Sequence, residues 1–191
     1  LTVAAYDAAG NTSAQSNAFT FTTSVASGGS CGTTWYVDSS VSSSGNGCSW
    51  GTAWKNVTNI VGVKAGDSVY ISGGSSGSSQ TYNVPGNWAL TSGSSASSRI
   101  TYQIGQDSAH NGTAIFNNTG SGDWISGVNN VTVSGNTGDG QKHFKLTNYG
   151  GVFEGTNIVN DRLMYIDFGN VGLDNWRVMD IRGGNGIEID H

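Results

Sequence analysis

The chain has little charge and almost no proline. Of its 191 residues, 8 are Lys or Arg, 13 are Asp or Glu and 1 is Pro. The 11% charged content is less than half of the ~25% that is usual for soluble globular domains. The formal net charge is −5, and the few basic residues are scattered. Because phosphate binding needs a basic stripe, this composition argues against nucleic acid as a partner. No apolar run approaches the ~18 residues of a membrane span.

Cysteine is also scarce. Cys31 and Cys48 are the only two, and they bracket a run rich in Ser, Gly and Asn. A disulfide between them would close a loop and stabilise the folded state by ~3 kcal/mol. Together with the polar, lysine-poor composition, this pair favours an extracellular or cell-surface protein. The alternative is two free thiols in a cytosolic protein.

The abundant residues are glycine, of which there are 30, and the small polar residues that accompany turns. Residues 1–23 alternate apolar and polar positions on both sides of Gly10 and Asn11, which predicts a β-hairpin. A lone hairpin cannot bury a core. The stretch resembles the last two strands of a fibronectin type III or immunoglobulin-like module of bacterial extracellular enzymes. Residues 24–32 are then the linker that follows a truncated β-sandwich.

One short segment has helical periodicity. Trp54, Val57 and Val61 are spaced i, i+3 and i+7, and Ser49 or Thr52 could serve as the N-cap. The spacing predicts one short amphipathic helix.

The rest of the chain consists of short strand-like runs that recur at a longer interval. Inward positions form two series of nearly even spacing: Phe144, Ile166 and Ile189 in one, and Val131, Phe153 and Met179 in the other. A repeat of roughly 22 to 26 residues that carries at least two strands predicts a solenoid, in which each coil stacks on the one before.

Three motifs carry a resemblance to a known family. They are "WYVD" at Trp35, "NGCSWGTAW" at Asn46 and "AGDSVYISGG" at Ala65. With them, residues 33–191 resemble the N-terminal part of a right-handed parallel β-helix of the pectate-lyase-like superfamily, truncated at its C-terminus. The resemblance implies an all-β fold in which the short helix covers the open end of the first coil.

Stacked coils place equivalent outward residues in ladders, because neighbouring strands lie ~4.8 Å apart. The spacings predict one ladder of Lys145, Asp167 and Asp190, and a second of Thr132, Glu154 and Asp180. Each ladder holds two carboxylates. Such a pair must bind a cation, share a proton or be relieved by a neighbouring base.

The resemblance assigns chemistry to these ladders. In a polysaccharide lyase, Glu154 and Asp180 would hold Ca²⁺, and Lys145 or Arg182 would be the base for β-elimination. In a glycoside hydrolase, the runner-up, carboxylates such as Asp167, Asp180 and Asp190 would act as acid and base. The alternative is that all of them are ordinary solvated residues. No run matches the acidic or Arg-containing signatures of the family's enzymes, so the catalytic centre can lie outside this chain.

Aromatic residues beside turns are candidate sugar-binding platforms. Trp124, Tyr149 and Trp176 could stack on sugar rings, or they could plug the corners of the coils. The histidines His110, His143 and His191 have no partners in sequence that suggest a zinc site, and we expect them to be surface groups.

The residue patterns predict a β-helix protein, and the resemblance implies that it is secreted or at the cell surface, monomeric and carbohydrate-active. It would bind a polysaccharide or cell-surface glycan as a lyase or, as the runner-up, a glycoside hydrolase, with Ca²⁺ as the one cofactor considered. The alternative function is a non-catalytic, adhesin-like glycan-binding protein.

Overall fold

A computed structural model describes Ala4 and residues 6–14, 31–170 and 179–190. Residues 31–170 and 179–190 form a parallel β-solenoid with almost no helix, which confirms the predicted fold class. Its strands are β1 (Thr34–Val37), β2 (Ser68–Ile71), β3 (Ser79–Val84), β4 (Ile100–Ile104), β5 (Thr113–Asn118), β6 (Asp123–Ser126), β7 (Val131–Ser134), β8 (Phe144–Thr147), β9 (Gly151–Val159), β10 (Arg162–Met164), β11 (Ile166–Asn170), β12 (Met179–Asn185) and β13 (Glu188–Asp190).

The strands are distributed over three parallel sheets that the chain visits in turn. Sheet I has the order β1-β2-β4-β7-β10-β13, sheet II the order β3-β5-β8-β11, and sheet III the order β6-β9-β12. From β4 onward each full coil contributes one strand to each sheet, whereas the described coils before β4 have no strand in sheet III. The described chain makes about five coils.

The coils differ in length and are mostly longer than the predicted repeat. In sheet I the register aligns Thr34, Ser68, Thr101, Thr132, Arg162 and Glu188. The interval between aligned positions shortens at every step, so that it is longest from Thr34 to Ser68 and shortest from Arg162 to Glu188. The predicted repeat is therefore wrong for most of the molecule. It failed for two reasons. The strands β3 and β6 were not recognised in the sequence. Each predicted series also combined strands of two sheets, because Ile189 and Val131 lie in sheet I and the other members of their series lie in sheets II and III.

One residue explains the most consequential of these errors. Tyr165 has a φ of 55° and forms the corner between β10 and β11 on its own. The run "LMYIDFG" is therefore two strands and not the predicted one. Tyrosine rarely adopts a positive φ, so the sequence carries no turn signal at this corner.

The core is a column of inward side chains from all three sheets. Alternation along the strands is regular: β4 and β5 bury every second residue, as expected for strands with one buried face. A cluster of five aromatic rings fills the middle coils, with neighbouring centroids 5.0 to 5.7 Å apart: Trp88, Tyr102, Phe116, Trp124 and Phe144.

The segment before β2 covers the open edge of β1. Two 3-10 helices, Trp50–Thr52 and Val57–Asn59, stand where one amphipathic helix was expected. Between them Trp54 is extended: its N–H donates to the carbonyl of Tyr36, and its carbonyl accepts from the N–H of Asp38. Because the N–H and the carbonyl of Trp54 form hydrogen bonds with the exposed edge of β1, they cannot form the hydrogen bonds of a continuous helix. We call residues 44–62 the cap.

The cap is also covalently tied. Cys31 and Cys48 form a disulfide with Cα atoms 4.7 Å apart, which confirms the predicted bridge. Trp54 is buried and stacks on Trp35, with ring centroids 5.1 Å apart. The predicted cover of the first coil is therefore present, built mainly from extended chain and turns.

Of the predicted N-terminal hairpin, the structure describes the turn. Tyr6 and Thr12 form an antiparallel bridge, and the carboxylate of Asp7 accepts hydrogen bonds from the N–H groups of Ala9 and Asn11. Of the predicted linker, residues 24–32, the first seven lie outside the described residues. No helix among the described residues is long and apolar enough to span a membrane.

Candidate active site on sheet III

The outer face of sheet III brings together three carboxyl groups. Glu154 on β9 is in register with Asp180 on β12, and Ser126 on β6 precedes them in the same row. The prediction that Glu154 and Asp180 stack is confirmed. The predicted third member, Thr132, is instead on β7 of sheet I, so its place in this ladder was wrong.

Asp123, at the start of β6, completes the cluster. Its side chain is half-buried, and its carboxyl group lies near those of Glu154 and Asp180. Burial raises the pKa of Asp123, and the neighbouring carboxyl group of Glu154 and the charges of Glu154 and Asp180 raise it further. Asp123 therefore keeps its proton to a higher pH than an ordinary aspartate does.

Arg182 sits two residues beyond Asp180 on β12 and is fixed by it. Nε of Arg182 lies 3.2 Å from both carboxylate oxygens of Asp180, and a terminal nitrogen lies 2.7 Å from Oδ2. The hydrogen bonds to Asp180, and its negative charge, raise the pKa of Arg182. Arg182 is therefore a permanent cation, poorly suited to accept a proton as a general base.

The other predicted ladder is only partly formed. Lys145 on β8 is in register with Asp167 on β11, as predicted. In the part of the chain that the structure describes, no ion pair joins them, and Asp167 accepts a hydrogen bond from the N–H of Gly169. Asp190 pairs with Met164 in sheet I. Its predicted stacking on Asp167 was wrong, because β13 follows β10 and not β11.

Two of the predicted sugar-binding aromatics are in the core. Trp124 is fully buried and packs against Trp88 and Phe116, and Tyr149 is 2% exposed. They fill the interior beside the corner between sheets II and III, so neither can present a ring face to a ligand. That prediction was wrong for both. Trp176 lies outside the described residues.

A group of partly exposed aromatic rings lies elsewhere, on the outer face of sheet I, and sequence reasoning missed it. Tyr36 and Tyr70 are in register on β1 and β2 with ring centroids 5.9 Å apart. Trp50 of the cap contacts Tyr36 edge-on and stacks on His110. The alternation in "TWYV" and "SVYI" could have identified the two tyrosines as outward residues.

The histidines are bound into local networks. Nδ1 of His110 lies 2.6 Å from Oδ1 of Asp107, and Nε2 of His143 lies 2.9 Å from Oδ2 of Asp139. Among residues 4, 6–14, 31–170 and 179–190, no group of three or more His, Cys, Asp or Glu has the arrangement of a metal site. Glu154 and Asp180, the predicted Ca²⁺ ligands, are neighbours, and both carboxylate oxygens of Asp180 accept hydrogen bonds from Arg182.

Comparisons of the chain with family models, curated proteins and solved structures found no match. The class that the fold itself defines is the parallel β-solenoid.

Proposed function

We propose that this chain belongs to a secreted, carbohydrate-active β-helix protein that hydrolyses glycosidic bonds at the outer face of sheet III. The observation that carries the proposal is the group of three neighbouring carboxyl groups, in which Glu154 stacks on Asp180 of the next coil and both lie near Asp123. Glycoside hydrolysis uses two carboxyl groups, one kept protonated and one ionised. The Cys31–Cys48 disulfide is compatible with an extracellular location.

The roles follow from the surroundings of each group. Asp123 is half-buried and has the raised pKa, so it donates its proton to the glycosidic oxygen as the leaving sugar departs. Glu154 is exposed and attacks the anomeric carbon. Water then hydrolyses the glycosyl-enzyme and returns a proton to Asp123. The ion pair of Asp180 and Arg182 places a second carboxylate beside Glu154 and a guanidinium group beside that carboxylate.

The separation of the two carboxyl groups decides the stereochemical outcome, since it is roughly 5 to 5.5 Å in retaining enzymes and roughly 6.5 to 9.5 Å in inverting enzymes. We propose retention, because the carboxyl group of Glu154 is close enough to Asp123 to raise its pKa. The lyase mechanism has less support here for both candidate bases. The ion pair with Asp180 keeps Arg182 protonated, and Lys145 lies on β8 of sheet II, on a different sheet from Glu154 and Asp180.

The test is product analysis with the full chain on a panel of acidic and neutral polysaccharides. We expect new reducing ends without the ultraviolet absorbance of unsaturated sugars. Asp123→Asn and Glu154→Gln should each lower the rate by at least ~100-fold, whereas Ser126→Ala, in the same row, should keep it. Unsaturated products would show that the protein cleaves by elimination and not by hydrolysis. Full activity of both carboxyl variants would refute the site.

A non-catalytic, adhesin-like role is the second candidate, and one observation favours it. On the outer face of sheet II, Nδ2 of Asn117 donates to Oδ1 of Asn83, and Nδ2 of Asn148 donates to Oδ1 of Asn117. Such an uncharged amide ladder is typical of a binding or structural surface. Binding to glycans without any product in the assay above would select this candidate.

A further inference from the structure

A polar groove lies between the cap and the outer face of sheet II, on a different sheet from the carboxyl cluster. Its volume is about 470 Å³, which falls within the ~300 to 1,000 Å³ range of small-molecule sites. Lys55, Thr58 and Asn59 form the cap side, and Thr81 and Asn83 of β3 form the sheet side.

Hydrogen bonds hold the two walls at a fixed separation. Nδ2 of Asn56 in the cap donates to the carbonyl of Asn83, over 2.9 Å. Ser39, which follows β1, donates from its N–H and its hydroxyl to Oε1 of Gln80 on β3. The groove is therefore preformed, which lowers the entropic cost of binding.

The groove offers hydrogen-bond donors that have no protein partner. In the described part of the chain, the hydroxyls of Thr58 and Thr81 and the amide nitrogens of Asn59 and Asn83 make no hydrogen bond, although Oδ1 of Asn59 and of Asn83 each accept one. So many hydroxyl and amide groups in one groove can form hydrogen bonds with a ligand that is rich in hydroxyl groups.

The one charged group that lines the groove is positive. Nζ of Lys55 donates to the carbonyl of Ser42, over 3.1 Å, and has two further protons to donate. Among the described residues no carboxylate lines the groove, although the whole chain carries a net charge of −5. The local excess of positive charge favours a ligand with an anionic substituent.

The same face continues the groove along the solenoid. The amide ladder from Asn83 through Asn117 to Asn148 runs over successive coils of sheet II. In the neighbouring row, Thr81, Ile115 and Lys145 are aligned, so a second ammonium group lies two strands from Thr81. A linear ligand that enters at Lys55 can therefore reach Lys145.

We propose that this groove is a binding site for an anionic glycan chain, with Lys55 contacting a carboxylate or sulfate group and the amide ladder contacting sugar hydroxyls. It shares only the ligand class with the proposed hydrolase site and does not require Asp123 or Glu154 to be catalytic. The cap is then one wall of a binding site in addition to a cover for β1.

The test is isothermal titration of the full chain with short and long oligosaccharides of three kinds: uronate, sulfated and neutral. Lys55→Gln should weaken binding of an anionic oligosaccharide roughly tenfold or more, as expected for loss of a charge-assisted hydrogen bond. Thr81→Ala should weaken binding of every ligand that occupies the groove. Lys145→Gln should affect the long ligands alone.

The matched control is Lys64→Gln, which removes the same charge from an exposed lysine outside the groove and should leave the affinity unchanged. Circular dichroism and the melting temperature verify that each variant is folded. Tighter binding of the uronate or of the sulfated ligand decides which anion is used. Equal affinity for neutral ligands, or an unaltered affinity of Lys55→Gln, would overturn the proposal.

The two proposals fail separately. If Asp123→Asn abolishes cleavage and leaves the titration unchanged, and Lys55→Gln weakens binding, both hold. Binding at Lys55 without any cleavage overturns the hydrolase proposal alone. If Asp123→Asn abolishes cleavage but substitution of Lys55 or Thr81 does not alter binding, the groove proposal alone is overturned.

Discussion

The indole ring of Trp50 lies face to face with the imidazole of His110, with centroids 3.8 Å apart and planes inclined by 8°. Nε1 of Trp50 also donates to Oδ2 of Asp107, over 3.1 Å. Trp50 belongs to the cap, whereas Asp107 and His110 belong to the turn between β4 and β5. The cap is thus tied to a later coil as well as to the edge strand β1.

This contact predicts that Trp50 contributes to stability across coils. Trp50→Ala should lower the free energy of unfolding by roughly 1 to 3 kcal/mol, through the lost stacking, the lost hydrogen bond and the lost buried area. Thermal denaturation measures the change. Val61→Ala is the control, because Val61 is an apolar cap residue that is 68% exposed. An equal effect of the two substitutions would contradict the prediction.

The disulfide should stabilise the same region. Cys31 and Cys48 are separated by 17 positions, and a loop of this size is worth about 3 kcal/mol in the chain-entropy model. The double variant Cys31→Ser/Cys48→Ser should unfold at a lower urea concentration than the wild type. Reductant should lower the wild-type midpoint and leave that of the variant unchanged. A wild type that is insensitive to full reduction would show that the bridge is energetically silent.

Asp161 should make stability fall as the pH rises. Its side chain is buried in the turn before β10, Oδ1 accepts from the N–H of Val131, and Oδ2 has no hydrogen-bond partner among the described residues. Burial raises the pKa of Asp161 to about 6, against about 3.9 in an unfolded chain. Because the folded state holds the proton more tightly, the stabilisation is complete below the unfolded pKa and is lost as the pH rises through the folded pKa.

Urea denaturation between about pH 3.5 and 7.5 measures this effect. The wild type should lose roughly 2 kcal/mol relative to Asp161→Asn over the window from ~4 to ~6. Asp139 is the contrasting control: hydrogen bonds from the N–H of Gln141 and from His143 lower its pKa to about 2. The contribution of Asp139 is therefore lost as the pH falls. A pH-independent difference between wild type and Asp161→Asn would be inconsistent with a raised pKa.

The coupling of Asp123 to Glu154 can be measured without any substrate. Carbon-detected NMR titration should give Asp123 a pKa above that of an ordinary aspartate in the wild type. Glu154→Gln removes a neighbouring negative charge, so the pKa of Asp123 should fall toward its ordinary value. Ser126→Ala changes the same row without changing a charge and should leave the titration as it is. An unperturbed Asp123 in the wild type would remove the basis for its role as an acid.

Close stacking of the turns between sheets I and II predicts that Gly112 cannot be replaced. A Cβ atom at Gly112 would lie 2.6 Å from the carbonyl oxygens of both Ser75 and Ser78 and would also clash with Gly73. Gly112→Ala should cost at least about 1 to 3 kcal/mol, the usual range for overpacking. Gly51→Ala is the matched control, since its Cβ would meet only the hydroxyl of Ser49 at 3.9 Å. Equal melting temperatures of the two variants would contradict this packing.

The sequence predicted local features well where the residues themselves carry the signal. The alternation in "RITYQI" and "TAIFNN" corresponds to β4 and β5, and the two cysteines form their bridge. The stacking of Glu154 on Asp180 was also predictable, because both residues directly follow the inward residue of a strand.

The register of distant coils was less predictable. Asp190 was placed beside Asp167 because the spacing from Ile166 to Ile189 resembled that from Phe144 to Ile166. The one-residue corner at Tyr165 made this similarity accidental. Asp123 was missed for a related reason: "DWIS" is too short to be recognised as a strand, and only its pairing with β9 makes it one.

The sequence by itself determined that this chain is all-β, because turn residues at short intervals and alternating apolar side chains are typical of short strands with one buried face. The solenoid was predicted from the recurrence of strands and from the resemblance that the motifs at Trp35, Asn46 and Ala65 carry. The tertiary structure alone decided which polar side chains meet. The coils shorten along sheet I, from the pair Thr34 and Ser68 to the pair Arg162 and Glu188. Residues therefore become neighbours through the hydrogen-bonded register of stacked strands and not through a constant spacing. The carboxyl cluster of sheet III and the groove beneath the cap both arise from that register.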